Sequence, residues 1–331
     1  LNCARVEAEH KPMLKVTVVI LGDGLASTAV GPLEVFFAAG MLFPTLKGET
    51  PNQLFDVTTV SLDGKSVSAA YGLGLTPQKS IEDIERTDII IVPTSGIEVD
   101  LKLIENSALL PWLRKHHALG AYIAGTCMGS VYLAEAGLLD GREATTHWAA
   151  TQDFERRYPK VKWRPDLLIT EDSRLLCSGG VTSAIDVSLY LVEKLISHDI
   201  AVQTAKALLH PMPRINQSGY AVLPLSPPHE DARIREVESY IQKNFRTDLG
   251  IESLAEKFGM SGRTFLRRFK AATGRLPGAY VQAVRVEVAK SMLERDRASV
   301  QTIASHVGYE DVSFFRTLFK RLTGMTPGDY R

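Results

Sequence analysis

The sequence predicts an α/β domain with a mainly parallel sheet, followed by an all-helical domain that contains one small structural unit twice. Three observations lead to this prediction. Strand and helix patterns alternate through the first two hundred residues, one residue pattern recurs near the end, and residues 210–229 between these regions hold five prolines. Proline-rich composition of this kind is typical of an extended linker. We therefore expect domains at residues 13–209 and 230–331, joined by a linker at 210–229.

Short apolar runs in the first domain predict buried strands, and helical patterns separate most of them. The strand candidates are 16–21, 55–60, 89–92, 121–124, 167–170 and 175–177, and the helical patterns include 101–119, 130–136 and 185–196. Alternation of this type implies a mainly parallel sheet that is covered on both faces. Such sheets bind ligands at the carboxyl ends of their strands.

One strand candidate of this domain runs directly into a motif with a central cysteine. Residues 121–124 lead into Gly125, Cys127, Met128 and Gly129, and a helical pattern begins at once. A nucleophile between small residues at a strand-to-helix junction is typical of a nucleophile elbow, which projects its side chain into a cleft. The N-terminus of the following helix is expected to lower the thiol pKa of Cys127. The alternative is a cysteine that only fills the core.

The last eighty residues contain the same pattern twice, at an offset of 49 to 50 residues. The recurring positions are Ala255, Gly259, Phe265, Phe269, Thr273 and Gly274, which return as Ala304, Gly308, Phe315, Phe319, Thr323 and Gly324. In each copy an apolar helical face ends at a glycine, and a second helix follows, with Ser261 as the expected N-cap in the first copy. This is the pattern of a helix-turn-helix unit. Helical spacing between the copies predicts a long helix that joins them.

These repeated residues closely resemble the DNA-binding domain of the AraC/XylS transcription regulators, over about residues 230–331. The resemblance implies that the second helix of each unit enters the major groove of double-stranded DNA. The groove-facing positions that it implies are Arg263, Leu266, Arg267, Val312, Ser313, Arg316 and Thr317. Arginine can donate two hydrogen bonds to guanine. Contacts to phosphate, which fix register without reading sequence, are expected from Arg268, Lys270, Lys320 and Arg321.

Residues 13–200 resemble a second family, the PfpI-like branch of the class I glutamine amidotransferase superfamily. The resemblance runs through 31–36, the elbow, 136–141, 145–148 and 176–180, and it implies a flavodoxin-like parallel sheet sandwich. It assigns the elbow thiol to Cys127, a neighbouring carboxyl to Glu34 and a nearby histidine to His147. Met128 stands where hydrolases of this family carry a histidine, so we expect no catalysis. The expected ligand-binding residues are Glu34, Cys127, Met128, His147 and Trp148.

The combination of the two domains resembles the GlxA-like subgroup of AraC-family regulators. It implies a transcription regulator, expected to be an activator, that responds to a small metabolite such as an amino acid or a quaternary amine. A homodimer and contact with RNA polymerase are also implied. Two alternatives stay open. One is a cysteine enzyme of the amidase, deglycase or hydratase type fused to a DNA-binding domain, and the other is a redox sensor that uses the Cys127 thiol.

The charge distribution and composition fit this interpretation. The net charge is zero, but residues 230–331 carry 18 Lys/Arg against 13 Asp/Glu, whereas the preceding residues carry 20 against 25. A basic module on an acidic remainder is typical of a DNA-binding domain joined to another function. No apolar run approaches the about 18 residues of a membrane span. Three cysteines make neither a disulfide framework nor a zinc site, so we expect a bacterial cytoplasmic protein, nucleoid-associated when bound to DNA, without metal or cofactor.

Overall fold

The computed structural model of the chain describes residues 12–211, 217, 225–226, 229–247, 249–295 and 297–331. The chain divides into two compact units, residues 1–217 and 218–331. Most of the predicted linker at 210–229 lies outside the described residues, and so does Cys3.

A seven-stranded sheet forms the centre of the first unit. The strands of this unit are β1 (Leu14–Val19), β2 (Phe55–Ser61), β3 (Val67–Ser68), β4 (Gly74–Leu75), β5 (Lys79–Ser80), β6 (Ile89–Val92), β7 (Tyr122–Thr126), β8 (Glu143–Ala144), β9 (Lys162–Trp163), β10 (Ile169–Asp172) and β11 (Leu175–Ser178). The sheet has the order β10-β11-β7-β6-β1-β2-β5. All of its neighbours pair in parallel except β10 and β11. The prediction of a flavodoxin-like, mainly parallel sheet is confirmed.

Helices pack on both faces of this sheet. They are α1 (Ser27–Ala38), α2 (Leu42–Leu46), α3 (Val99–Glu105), α4 (Leu109–Ala118), α5 (Ser130–Glu135), α6 (Thr151–Arg157), α7 (Ser183–Leu195) and α8 (His198–Ala207). Strand β6 is buried along its whole length, because its alternate residues serve two cores. Ile89 and Ile91 pack with residues of α1, α7 and α8, whereas Ile90 and Val92 pack with residues of α4 and α5. A central parallel strand buried on both faces reads as a continuous apolar run for this reason.

The helix predicted at 101–119 is two helices in the structure, α3 and α4. The break comes at Asn106, whose side chain is buried. Its Nδ2 atom donates to the carbonyl oxygen of Lys102 at 2.8 Å and to the hydroxyl of Tyr132 at 3.0 Å. Asparagine side chains compete with the backbone for hydrogen bonds, and here that competition ends a helix.

Seven helices form the described part of the second unit. They are α9 (Ala232–Asn244), α10 (Ile251–Lys257), α11 (Gly262–Thr273), α12 (Pro277–Arg295), α13 (Val300–His306), α14 (Val312–Thr323) and α15 (Pro327–Tyr330). The long joining helix is confirmed as α12. Val281 and Val284 belong to a core shared with α10 and α11, whereas Val286, Ala289 and Leu293 belong to a core shared with α13 and α14.

The two helix-turn-helix units repeat each other in detail. Helices α11 and α14 both end at a glycine in the left-handed conformation, Gly274 at φ 73° and Gly324 at φ 79°. The rings of Phe269 and Tyr280 meet edge to face at 5.3 Å, and Phe319 and Tyr330 do the same at 5.5 Å. The sequence repeat therefore reflects two copies of one packing arrangement.

Candidate DNA interface and elbow cleft

Helices α11 and α14, the second helices of the two units, begin at side-chain caps directly after their turns. The hydroxyl of Ser261 accepts a hydrogen bond from the backbone N–H of Thr264 at 3.3 Å, as predicted. The carboxylate of Asp311 accepts from the backbone N–H groups of Ser313 at 2.7 Å and Phe314 at 3.1 Å. Such caps satisfy N–H groups that have no partner within the helix.

Each of these helices buries one face and leaves the opposite face exposed. Phe265 and Phe269 of α11, and Phe315 and Phe319 of α14, are fully buried. The exposed residues at helical spacing are Arg263, Arg267 and Lys270 on α11, and Ser313, Arg316, Thr317 and Lys320 on α14. Leu266 and Val312 are half-buried beside them. Since positions three, four and seven apart share a helix face, these side chains form one polar face on each helix.

Arg268 does not belong to this exposed polar face. Its guanidinium binds the carboxylate of Asp231, the N-cap of α9, through two hydrogen bonds of 2.6 and 3.0 Å. This hydrogen bonding also lowers the pKa of Asp231. The expected phosphate contact of Arg268 stays a prediction, and it competes with this two-point ion pair within the same unit.

Arg285 of α12 is a structural residue of the second unit that the sequence did not indicate. It donates to three backbone carbonyl oxygens, those of Phe245 at 2.7 Å, Thr247 at 3.0 Å and Gly308 at 3.1 Å. Its guanidinium also lies 4.9 Å from the ring centroid of Tyr309. The turn of the second helix-turn-helix is one residue longer than that of the first, and Arg285 contacts it at Gly308 and Tyr309.

The structure confirms the strand-to-helix elbow of the first unit. Cys127 has φ 57°, a strained value for a residue other than glycine. A Cβ atom at Gly129 would lie 2.2 Å from the carbonyl oxygen of Val92, and one at Gly125 would lie 2.8 Å from the backbone of Ser130. The two small residues are therefore needed to fit the turn from β7 to α5 against β6 and the first residue of α5.

The prediction that the elbow lowers the thiol pKa is wrong. Cys127 is only 4% exposed. Burial raises the pKa of its thiol to about 11, and a hydrogen bond with the backbone of Met128 opposes this only in part. Burial disfavours the charged form of a thiol. The helix that follows, Ser130–Glu135, is short, and its N-terminus does not offset the effect of burial on the pKa. Cys127 is thus a protonated, weakly nucleophilic thiol at neutral pH.

His147 and Trp148 lie next to each other beside the end of β11. The Nδ1 atom of His147 accepts a hydrogen bond from the backbone N–H of Ala149, so a neutral ring carries its proton on Nε2. Burial lowers the pKa of His147, which favours this neutral form. Its ring is 5.3 Å from that of Trp148 and packs against Gly180. Met128 is half-buried and packs against the core that contains α4 and α5.

Glu34 is exposed and belongs to a different opening from the elbow. It lines an apolar groove with Leu33 and Phe37 of α1 and with residues of β1 and β2, whereas the elbow contacts α1 at Thr28. Glu34 lies six positions after Thr28 on the helix, which is about 9 Å along the axis. Among the residues that the structure describes, no hydrogen bond joins the Cys127 sulfur to Glu34 or His147. The expected carboxyl neighbour of the thiol is therefore corrected.

The loop after β1 and helix α3, which follows β6, add a charged cluster at the same edge of the sheet as the elbow. The Nζ atom of Lys102, largely buried, lies 2.5 Å from Asp23 and 2.6 Å from Glu105. The hydrogen bonds that Lys102 donates to these carboxylates, first to that of Asp23, raise the pKa of Lys102. Sequence reasoning did not indicate this cluster, because Asp23 is 79 positions away from Lys102 in the chain.

Comparison with known proteins agrees with both halves of this architecture. The model of the DJ-1/PfpI family matches residues 18–194, and the model of a helix-turn-helix domain matches residues 254–331. The chain belongs to the DJ-1/PfpI family. It carries an AraC-type helix-turn-helix domain after the family's α/β domain, which is the combination of the GlxA-like subgroup that the sequence predicted.

Two transcriptional regulators match this chain over most of their own length, and a third relative matches over a shorter part. The HTH-type transcriptional regulator CdhR of Pseudomonas aeruginosa is 28% identical over 82% of this chain and 80% of its own. The HTH-type transcriptional regulator GlxA of Rhizobium meliloti is 25% identical over 84% of this chain and 85% of its own. An isonitrile hydratase of Pseudomonas putida is 35% identical over 41% of this chain and 57% of its own.

A solved structure shows the same fold in the first unit. Drosophila melanogaster DJ-1beta superposes with a TM-score of 0.51 over 60% of this chain and 100% of its own, at 20% identity. No helix within the described ranges is both long and apolar enough to cross a membrane. In the same ranges, His, Cys, Asp and Glu side chains do not group in threes that could hold a metal ion.

Proposed function

We propose that this chain is a DNA-binding transcription regulator whose DJ-1/PfpI domain senses a small metabolite without transforming it. The pair of polar faces on α11 and α14 carries the proposal. Each face stands opposite a buried aromatic face of the same helix, so each helix can enter a groove without unfolding its unit. Relatives of the same two-domain organisation are named as transcriptional regulators.

Each of the two faces carries residues that can contact base edges and a lysine that can contact phosphate. Arg263 and Arg267 of α11, and Arg316 of α14, are the residues that can donate two hydrogen bonds to guanine. Ser313 and Thr317 offer hydroxyl groups, and Leu266 and Val312 offer contact with thymine methyl groups. Lys270 and Lys320 lie one to two turns further along their helices, where phosphate contact fixes the register.

The first unit acts as a sensor in this proposal because its thiol lacks the features of a catalyst. A nucleophilic cysteine needs a depressed pKa or a positioned base, and the pKa of Cys127 is raised to about 11. The elbow edge still offers recognition groups, since Asp23 supplies a carboxylate and Trp148 an aromatic surface. These are the groups that bind a quaternary amine or the ammonium of an amino acid.

Further properties follow from the same proposal. Two DNA-binding domains in one homodimer gain effective concentration at paired half-sites, and an activator contacts RNA polymerase. We propose domain limits of 13–209 and 230–331, and a cytoplasmic protein that joins the nucleoid when it binds DNA. Sedimentation of the full chain at micromolar concentration tests the dimer, and a monomer under these conditions would count against it.

Selection of bound duplexes from random-sequence DNA tests the proposed function. The full chain should enrich a motif with two blocks of preferred bases, one for each helix-turn-helix unit. Arg267→Ala should erase preference in one block and Arg316→Ala in the other, whereas Arg295→Ala at the exposed end of α12 should leave both. Recovery of no motif by the full chain would reject sequence-specific binding.

A second candidate function is a hydratase-type activity of the first unit, which the 35% identity to an isonitrile hydratase favours. Water would add to the isonitrile carbon to give a formamide. Incubation of the purified chain with an alkyl isonitrile, followed by detection of the formamide, tests this. Product formation that disappears in Cys127→Ser would support the enzyme and contradict a purely sensory domain.

A further inference from the structure

One side chain from the predicted linker is buried inside the first unit. Gln217 is only 2% exposed. Its Nε2 atom donates toward the carbonyl oxygen of Thr146 at 2.9 Å, the hydroxyl of Thr145 at 3.1 Å and the carbonyl oxygen of Leu167 at 3.2 Å. Its backbone N–H donates to the carbonyl oxygen of Asp166 at 3.2 Å. An extended, solvated linker would not bury a glutamine, so this position has a specific docking site.

The docking site depends on a glycine. We call Thr145, Thr146, Leu167 and Gly179 the glutamine socket. A Cβ atom at Gly179 would lie 2.5 Å from Oε1 of Gln217 and 2.7 Å from its Cδ, so any larger residue there displaces the amide. The next residue, Gly180, packs against the ring of His147, which places the socket beside that histidine.

The socket is also connected to the elbow through a single residue. The hydroxyl of Thr146 donates to the carbonyl oxygen of Cys127 at 3.1 Å, while the carbonyl oxygen of Thr146 accepts from Gln217 at 2.9 Å. Thr146 is completely buried, so both bonds form away from water. A shift of the elbow therefore moves the main acceptor of the Gln217 amide, and loss of Gln217 removes a restraint from the elbow.

The side-chain amide of Gln217 has only part of its hydrogen bonds in the docked state, which lowers the free energy needed to release it. Two N–H groups of Nε2 face three acceptors. The Oε1 atom is buried and has no hydrogen-bond donor in the described part of the chain. A buried acceptor without a donor offsets much of what the donated bonds contribute. A small change at the elbow can therefore shift the balance between the docked and released states.

Release of Gln217 would nearly double the length of the tether between the units. On the first unit His210 is held 3.1 Å from Asp186, and on the second His229 is held 2.8 Å from Glu238, where Ser226 also binds. From Gln217 to Ser226 a fully extended chain spans at most about 30 Å, and from His210 to Ser226 at most about 55 Å. Docking of Gln217 thus sets the maximum length of chain that connects the second unit to the first.

We propose that Gln217 is a latch that docks in the glutamine socket, and that the conformation of the elbow at Cys127 sets whether the latch is held. The latch itself is a property of the first unit and its tether. Its regulatory meaning rests on the proposed function, because only a DNA-binding second unit turns a change of reach into a change of DNA affinity.

Trypsin cleavage after Arg214, within the predicted linker, tests the docking. Gln217→Glu keeps the size of the side chain but places a carboxylate oxygen, which cannot donate, against the three acceptors. Gly179→Ala fills the socket and leaves the linker sequence unchanged. Both should speed cleavage about tenfold, since cleavage follows the population of the released state. The exposed Gln152→Ala and Gly74→Ala, whose added Cβ meets open space, are the matched controls. Equal cleavage rates in all five proteins would overturn the latch.

Hydrogen exchange of the full chain tests the connection to the elbow without DNA or effector. In Gln217→Glu and Gly179→Ala, the peptides that cover 144–149 and 124–130 should both exchange faster than in the wild type. Exchange that changes only in the linker would overturn the connection. Unchanged tryptophan fluorescence and melting temperature confirm that each variant is folded. If one of the two variants fails this check, the test rests on the variant that folds.

DNA affinity tests whether the latch regulates the protein, and it is measured on a duplex recovered by the selection described above. The affinity of the two latch variants for that duplex should differ from that of the wild type by about fivefold or more, with both controls unchanged. Equal affinities would reject the regulatory meaning while leaving the docking result intact. Failure to recover any duplex would reject the proposed function, and the proteolysis and exchange results would still decide the latch.

Discussion

The guanidinium of Arg285 donates a hydrogen bond to the carbonyl oxygen of Gly308, the glycine that forms the turn of the second helix-turn-helix unit. Gly308 has φ 89°, and a Cβ atom there would lie 2.8 Å from the carbonyl oxygen of Arg246. The turn is therefore fixed from both sides, by a backbone conformation that favours glycine and by an arginine from the joining helix.

We predict that Arg285→Ala lowers the free energy of unfolding of the second unit by about 2–3 kcal/mol, because it removes charge-assisted bonds to three backbone carbonyls. Far-UV circular dichroism in urea should report the loss as an earlier transition. All three tryptophans lie in the first unit, so tryptophan fluorescence should not change. Arg295→Ala is the control, and an equal effect of both substitutions would contradict the role of Arg285.

The two adjacent arginines of α11 should behave differently. Arg267→Ala should weaken binding to the selected duplex by about 1–3 kcal/mol and relax preference at one base pair. Lys320→Ala should weaken binding to all sequences alike. Arg268→Ala should instead shift the urea transition of the second unit, because it breaks the ion pair with Asp231. Equal losses on selected and random duplexes for Arg267→Ala would exclude a base contact.

The Cys127 thiol should react slowly at neutral pH. With a pKa of about 11, about one thousandth of the thiol is ionised at pH 8. Alkylation by iodoacetamide should therefore speed up about tenfold per pH unit between pH 7 and 10, as peptide mapping can measure. Labelling that levels off below pH 8 would favour the redox sensor or the enzyme. Cys177 should react no faster, since burial raises its pKa to about 12.

The same pKa shift predicts a loss of stability in alkaline solution. The folded state favours the neutral thiol, and the raised pKa of Cys127 therefore contributes to the free energy of unfolding. This contribution is complete below the unfolded pKa of about 9 and is lost as the pH rises towards 11. The urea transition reported by tryptophan fluorescence should move to lower urea over this range. Cys127→Ala should make that decline less steep, and an unchanged slope would contradict the assigned shift.

Regulation should not need covalent chemistry at Cys127. Cys127→Ser should keep the response to the effector, with an altered affinity, whereas Cys127→Trp should abolish it by filling the cleft. A reporter assay with glycine betaine and L-arginine as probes separates these outcomes, after a thermal-shift screen of amino acids and methylated amines. A folded, DNA-binding serine variant that no longer responds would show that the thiol itself carries the signal.

Features encoded by local spacing could be predicted from the sequence. The helix-turn-helix repeat rests on apolar residues three and four apart and on turn glycines, and each of these acts within one or two helical turns. The parallel sheet rests on continuous apolar runs, and the elbow rests on small residues on either side of Cys127. Ser261 as an N-cap and α12 as the joining helix belong to the same class, because their signals lie within a few residues.

Features that depend on distant partners were decided only by the tertiary structure. Arg268 and Asp231 are 37 positions apart, and Gln217 and Thr146 are 71 positions apart, so no local pattern indicates either contact. Glu34 lies on α1, and the packing of that helix directs it to a groove rather than to the elbow. The sequence by itself determined the two folds and the motifs that they carry. The tertiary structure decided the environment of each polar group, because burial and long-range hydrogen bonds set the pKa of Cys127, the ion pair of Arg268 and the docking of Gln217.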